Sequence, residues 1–168
     1  GDEISADATE ITRQSGQRLT LAYAAPEQVL AQPVGVACDV YALGVMLFEL
    51  LTGQRLYTNK EGRALEDEIL RGEPRRPSDV ASDRSRAKAL RGDLDAIVLT
   101  SLRRESSQRY ASAGRLADDI ESYLAGEPVK ARPDSRLYRW RKFVARHALP
   151  LSAAMAAVVA LGGGLGVA

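Results

Sequence analysis

The side chains able to do chemistry in this chain are few, and their spacing decides what they can form. Cys38 is the sole cysteine, so no internal disulfide closes, and neither spacing nor partners suggest a metal site around it. His147 is equally solitary. Thr20 sits in a turn-like stretch, where a hydroxyl commonly satisfies local backbone. Glu27 follows Pro26 and, taken alone, reads as a surface carboxylate. Asp39 stands where an N-cap or first-turn carboxylate belongs. Arg109 lies between two helical patterns. Any function has to come from how the fold brings these groups together.

The elements that would position them are helices and loops, with no strand pattern and no internal repeat. Residues 1–18 are polar, acidic and short, with no apolar period, and are expected to form a mobile loop. In LTLAYAAPEQVL, Pro26 fixes a turn and opens a short helix to about Leu30, because its missing N–H would be unpaired there anyway. The run Asp39 to Thr52, DVYALGVMLFELLT, is apolar around its whole circumference except at Glu49. A helix of that kind must be surrounded, and it is too short to span a bilayer, so it is expected to form the core. Gly53 ends it. Ala64 to Leu70 is expected to form a short helix, and Arg71 to Arg91, rich in Arg, Pro and Ser, to be loop. Leu94, Ile97, Val98 and Leu102 recur at helical spacing behind Gly92 and Asp93, giving an amphipathic helix ending near Arg104. Leu116, Ile120, Tyr123 and Leu124 repeat the pattern from about Ser112 to Ala125, stopped by Gly126 and Pro128.

Charge concentrates near the end. Arg136, Arg139, Arg141, Lys142 and Arg146 precede a run from Ala148 to Ala168 that carries no charge, about the ~20 residues a membrane-spanning helix requires. Basic residues beside an apolar span mark its cytoplasmic side, so residues 130–147 are expected to be a basic juxtamembrane linker and 148–168 a single transmembrane helix, possible truncation included. Trp140 and Tyr138 suit the bilayer interface. Gly162-Gly-Gly-Leu-Gly166 has small residues four apart, a spacing that would let two membrane helices approach as a homodimer but that also arises by chance in an Ala- and Gly-rich helix. Over 168 residues, 45% apolar and 27% charged residues describe a chain meant to fold. Lys plus Arg at 23 against Asp plus Glu at 22 gives a net charge of only +1, so a nucleic-acid partner is not expected. The chain opens at Gly1 with no leader pattern, and both ends read as cut.

Three motifs in order, Thr20-Leu-Ala-Tyr-Ala-Ala-Pro-Glu27, Asp39-Val-Tyr-Ala-Leu-Gly44 and Arg109, resemble the eukaryotic-type serine/threonine protein kinases of bacteria over Leu19 to about Val129. The basic-then-apolar tail resembles the members with one membrane span after the kinase domain. The resemblance implies a mainly α fold, the helical C-lobe of the protein-kinase fold from the activation segment onward, followed by a transmembrane helix. Residues 1–18 would be the activation loop and 19–129 a partial C-lobe. Glu27 would pair with Arg109 inside the lobe, and Asp39 would hold the catalytic loop by accepting its backbone N–H groups. Both roles are structural. Tyr41 replaces a Trp common in the motif. Thr20 would shape the substrate pocket, and Thr9 and Thr12 are candidates for regulatory phosphorylation.

The chemistry of the family needs a glycine-rich loop, a strand lysine, a His-Arg-Asp loop and an Asp-Phe-Gly motif. None is in this sequence. The expectation is therefore a part of a kinase with no catalytic, cofactor-binding or metal residue of its own, inactive alone, while the parent protein uses ATP and Mg2+ to phosphorylate Ser or Thr of proteins at the inner (plasma) membrane. The alternative is a pseudokinase or membrane-tethered protein-binding scaffold. Because the core helix lacks upstream neighbours, exposed apolar surface is expected in the isolated chain.

Overall fold

The computed structural model describes residues 21–58, 62–133 and 136–146. The polar loop over 1–18, with Thr9 and Thr12, and Thr20 lie outside the described residues, as does the transmembrane helix expected over 148–168. Among the described residues no helix is long and apolar enough to cross a membrane, and there is no strand.

The organising element is α2 (Val36–Thr52), preceded by the single turn α1 (Pro26–Val29) and followed by α3 (Gly62–Arg71). The chain then forms α4 (Pro77–Val80), α5 (Arg84–Leu90), α6 (Asp93–Ser101), a 3-10 turn over Ser106–Gln108, α7 (Ala113–Leu124) and α8 (Arg136–Arg146). α2 packs against α4, α6, α7 and the 3-10 turn, and α1 against α3. Core forms on two flanks of α2. On one, Tyr41, Val45 and Phe48 meet Ala25, Leu56, Val98 and Leu102; on the other, Val40 meets Leu90, Leu94, Ile97, Tyr110, Leu116 and Val129.

Gly44 explains how α2 and α6 come so close. A Cβ at this position would stand 2.6 Å from the Cβ of Ser101 and within 3.3 Å of Leu102, so only glycine fits without displacing α6. α2 is not fully surrounded among the described residues. Leu43, Met46 and Leu50 remain exposed beside Leu116, Ala117 and Ile120 of α7, forming an apolar groove.

Three expectations need correction. α2 starts at Val36 rather than Asp39, with Gly35 in extended conformation as its N-cap and no capping side chain; of the two places expected for Asp39, it takes the first turn. The span 71–91 is not all loop. Asp83 caps α5 by accepting the Arg86 N–H at 2.8 Å, and the Ser78 N–H of α4 is taken by Asp95 of α6 at 2.9 Å, contacts that hydropathy does not record. Residues 130–147 are not simply a linker. They contain α8, whose Tyr138 and Lys142 bond to Asp93 at the start of α6.

Candidate functional site

The site begins with a tight reversal. Pro26 opens α1, the Ala25 N–H donates to Gln28 Oε1 at 2.8 Å, and the Gln32 N–H donates to the Glu27 carbonyl at 2.8 Å. Ala31 takes φ 51°, the left-handed conformation that such a helix end requires. Glu27 is thereby fixed from both sides with its carboxylate toward the floor of the lobe.

Arg109 meets it from 82 positions later in the chain. Its Nη1 donates to Glu27 Oε1 at 2.7 Å and its Nη2 to Oε2 at 2.7 Å, the two-pronged geometry that a planar guanidinium offers a carboxylate. The remaining donors are also used. Nε reaches the Arg103 carbonyl at 2.7 Å, Nη1 the Ala37 carbonyl at 2.9 Å, and Nη2 the Arg104 carbonyl at 3.0 Å. With its side chain 0% exposed and that of Glu27 11%, Arg109 is a buried cation whose five N–H groups all have acceptors. One side chain thus joins α1, the start of α2 and the loop after α6.

Two neighbours complete the surroundings. The Arg109 guanidinium lies over the Tyr41 ring at 4.8 Å, and the Tyr41 and Tyr57 hydroxyls are bonded to each other. Cys38 donates its thiol to Glu27 Oε1 at 3.2 Å. Burial, together with the facing Glu27 carboxylate, pushes that thiol above its ordinary range, so it is a buried weak donor rather than a nucleophile. Burial acts to raise the Glu27 carboxyl, but the Arg109 hydrogen bonds and charge, with help from its own backbone N–H and Cys38, hold it below its ordinary value. Glu27 is therefore ionised, an acceptor and not an acid.

Asp39 is exposed and takes no part in this network. The structure therefore brings Glu27 and Arg109 together and leaves Asp39 apart from them.

Three buried carboxylates were not singled out in the sequence. Asp119 accepts from Tyr110 Oη at 2.9 Å and from the backbone N–H groups of Lys130 and Ala131 at 2.8 Å each. Asp95 accepts from the Ser78 N–H at 2.9 Å and Oγ at 2.7 Å. Asp93 receives Arg132 Nη1 at 3.0 Å, Tyr138 Oη at 3.0 Å and Lys142 Nζ at 2.7 Å. Burial pushes the Asp93 carboxyl up, yet the bonds from Lys142, Arg132 and Tyr138 outweigh it and hold it low. The only advance signal for this hub was Tyr138 and Lys142 four residues apart, on one face of a helix.

Among the described residues no group of three or more His, Cys, Asp or Glu side chains could hold a metal ion. Glu27, Asp93, Asp95 and Asp119 already serve backbone, hydroxyl and cationic donors, so no step through Mg2+ or a nucleotide is assigned to these four residues.

A mostly apolar helix carrying core on two flanks, with the chain ahead of it clamped to the helical floor by a buried carboxylate–guanidinium pair, makes a mainly helical lobe consistent with the C-lobe of a protein kinase. The chain belongs to the protein kinase domain family, which matches residues 4–119. It is 34% identical over 116 residues to a probable serine/threonine-protein kinase of Corynebacterium efficiens, covering 68% of this chain and 17% of that protein. It is 31% identical over 126 residues to the serine/threonine-protein kinase PknB of Mycobacterium leprae, covering 75% and 19%. Serine/threonine-protein kinase PknD of Chlamydia pneumoniae is 34% identical over 124 residues, covering 71% and 13%. The chain thus spans less than a fifth of the length of these relatives.

Proposed function

We propose that this chain supplies the activation segment and substrate-binding floor of a bacterial serine/threonine protein kinase, a transferase that moves the γ-phosphate of ATP to Ser or Thr of proteins. The observation that carries the reading is the two-pronged Glu27–Arg109 pair, within a chain of the protein kinase domain family. The pair fixes the segment's C-terminal end. Thr20, six residues upstream of Pro26, then shapes the pocket for the target hydroxyl, and Thr9 or Thr12 accepts a regulatory phosphate. ATP and Mg2+ are held by residues outside this sequence.

Residues 148–168 anchor the protein as a single span in the bacterial plasma membrane with the kinase part cytoplasmic, a reading supported by the basic residues 136–146 beside an uncharged apolar run.

Phosphotransfer from labelled ATP to a Ser/Thr protein substrate, compared between this 168-residue chain and a longer protein carrying its upstream kinase residues, tests the reading. The longer protein is expected to transfer phosphate and the chain alone to be inactive. Transfer by the chain alone, or none by a longer protein with intact His-Arg-Asp and Asp-Phe-Gly motifs, would overturn it. Replaced aspartates in those motifs would favour a pseudokinase scaffold.

A further inference from the structure

Helix α8 carries an apolar stripe that stays more than half exposed to solvent. Leu137, Trp140 and Phe143 recur every third residue and are 74%, 64% and 54% exposed, an unusual display for side chains of this size. Tyr138 and Lys142 hold the helix to the lobe through Asp93, and the Arg132 guanidinium stacks on the Tyr138 ring at 4.4 Å. The stripe is therefore displayed by a helix pinned in place, not by a free tail.

Charge identifies the occupant. In sequence, residues 136–146 contain Arg136, Arg139, Arg141, Lys142 and Arg146 and no acidic residue, and residues 147–168 continue without a carboxylate. With Lys142 committed to Asp93, an exposed apolar and aromatic stripe on a helix whose sequence is otherwise rich in arginine and free of carboxylates suits the headgroup boundary of an anionic bilayer. We propose that α8 is a membrane-surface helix, with Leu137, Trp140 and Phe143 entering the interface of an anionic bilayer while Asp93 holds the helical lobe against it. The lobe then sits at a fixed orientation to the membrane. This rests on the membrane location proposed above, but not on residues 148–168 crossing the bilayer.

Trp140 is the sole tryptophan, so its fluorescence reports α8 alone. The full chain is mixed with phosphatidylcholine vesicles with and without phosphatidylglycerol, and alkaline extraction separately reads insertion of 148–168. With phosphatidylglycerol present, Trp140 emission is expected to shift to the blue and to be quenched by brominated acyl chains. Arg136→Ser is expected to reduce the preference for anionic over neutral vesicles about fivefold. Leu137→Ser is expected to reduce acyl-chain quenching, and its exposed position keeps the fold intact. Alkali-resistant insertion with Trp140 still open to aqueous iodide would overturn the helix assignment and leave the anchor standing. Neither insertion nor a change at Trp140 would sink both. Burial of Trp140 without lipid, rising with protein concentration, would make a second copy the occupant and overturn the lipid assignment.

Discussion

Replacing Arg109 by methionine tests the clamp directly, because methionine keeps an unbranched apolar stem over Tyr41 while removing all five donors. The loss leaves the Glu27 carboxylate, 11% exposed, without its cation, and leaves the Ala37, Arg103 and Arg104 carbonyls each short of a bond. Breaking one side of a buried pair costs about 3–5 kcal/mol, out of roughly 5–15 kcal/mol for a whole domain. With a urea slope of about 2 kcal/mol per molar, the unfolding midpoint should fall by about 2 M. Glu27→Gln keeps one acceptor but strands the buried cation, at about 3 kcal/mol. Combining Arg109→Met with Glu27→Gln removes both charges, so the double variant should lose about 3 kcal/mol less than the sum of these two single losses. Acid provides an independent check. The folded Glu27 carboxyl lies below its ordinary value of 4.5, so the unfolded chain binds the proton first. The stabilisation is full above that value and is lost as pH falls through the folded pKa. Glu27→Gln should flatten stability across that window. Additive losses in the cycle, or a midpoint barely moved by Arg109→Met, would refute the claim that this pair clamps the segment.

Two further outcomes follow from close packing and from buried acceptors. Gly44→Ala should gain about 1 kcal/mol of helix propensity and lose about 1–3 to overpacking against Ser101, for a net loss that Ser101→Gly partly restores; a stability gain from Gly44→Ala alone would refute this. Asp119→Asn leaves the Lys130 or Ala131 N–H, or the Tyr110 hydroxyl, without an acceptor, at about 1–3 kcal/mol. Amide hydrogen exchange at Lys130 and Ala131 should then accelerate, and unchanged protection at both would count against the assignment.

What could be read in advance divides along a physical line. α2 shows in the sequence as a run apolar on every side and α7 as an apolar period, both records of burial, and Gly53 and Gly126 mark where the chain turns back. The start of α2 is silent in the sequence because its N-cap is a glycine, which has no side-chain acceptor. α4 and α5 leave no such mark because four and seven residues are too few to show a period, and because Asp95 stabilises α4 from another helix. Glu27 and Arg109 could be paired only through the order of motifs, since nothing local links positions 82 residues apart.

The buried carboxylates share a task that explains why they escaped notice. Glu27 ties α1 to the loop after α6 through Arg109, Asp95 ties α4 to α6, Asp119 ties residues 130 and 131 to α7, and Asp93 ties α8 to α6. Each sits where short elements join and apolar surface is scarce, so hydrogen bonds to an acceptor with several lone pairs fix geometry that hydrophobic contact would leave loose. Hydropathy reports which side chains leave water. It cannot report which distant N–H group a carboxylate will meet, and in this lobe those meetings set the position of the segment ahead of α2 and of the basic helix that follows α7.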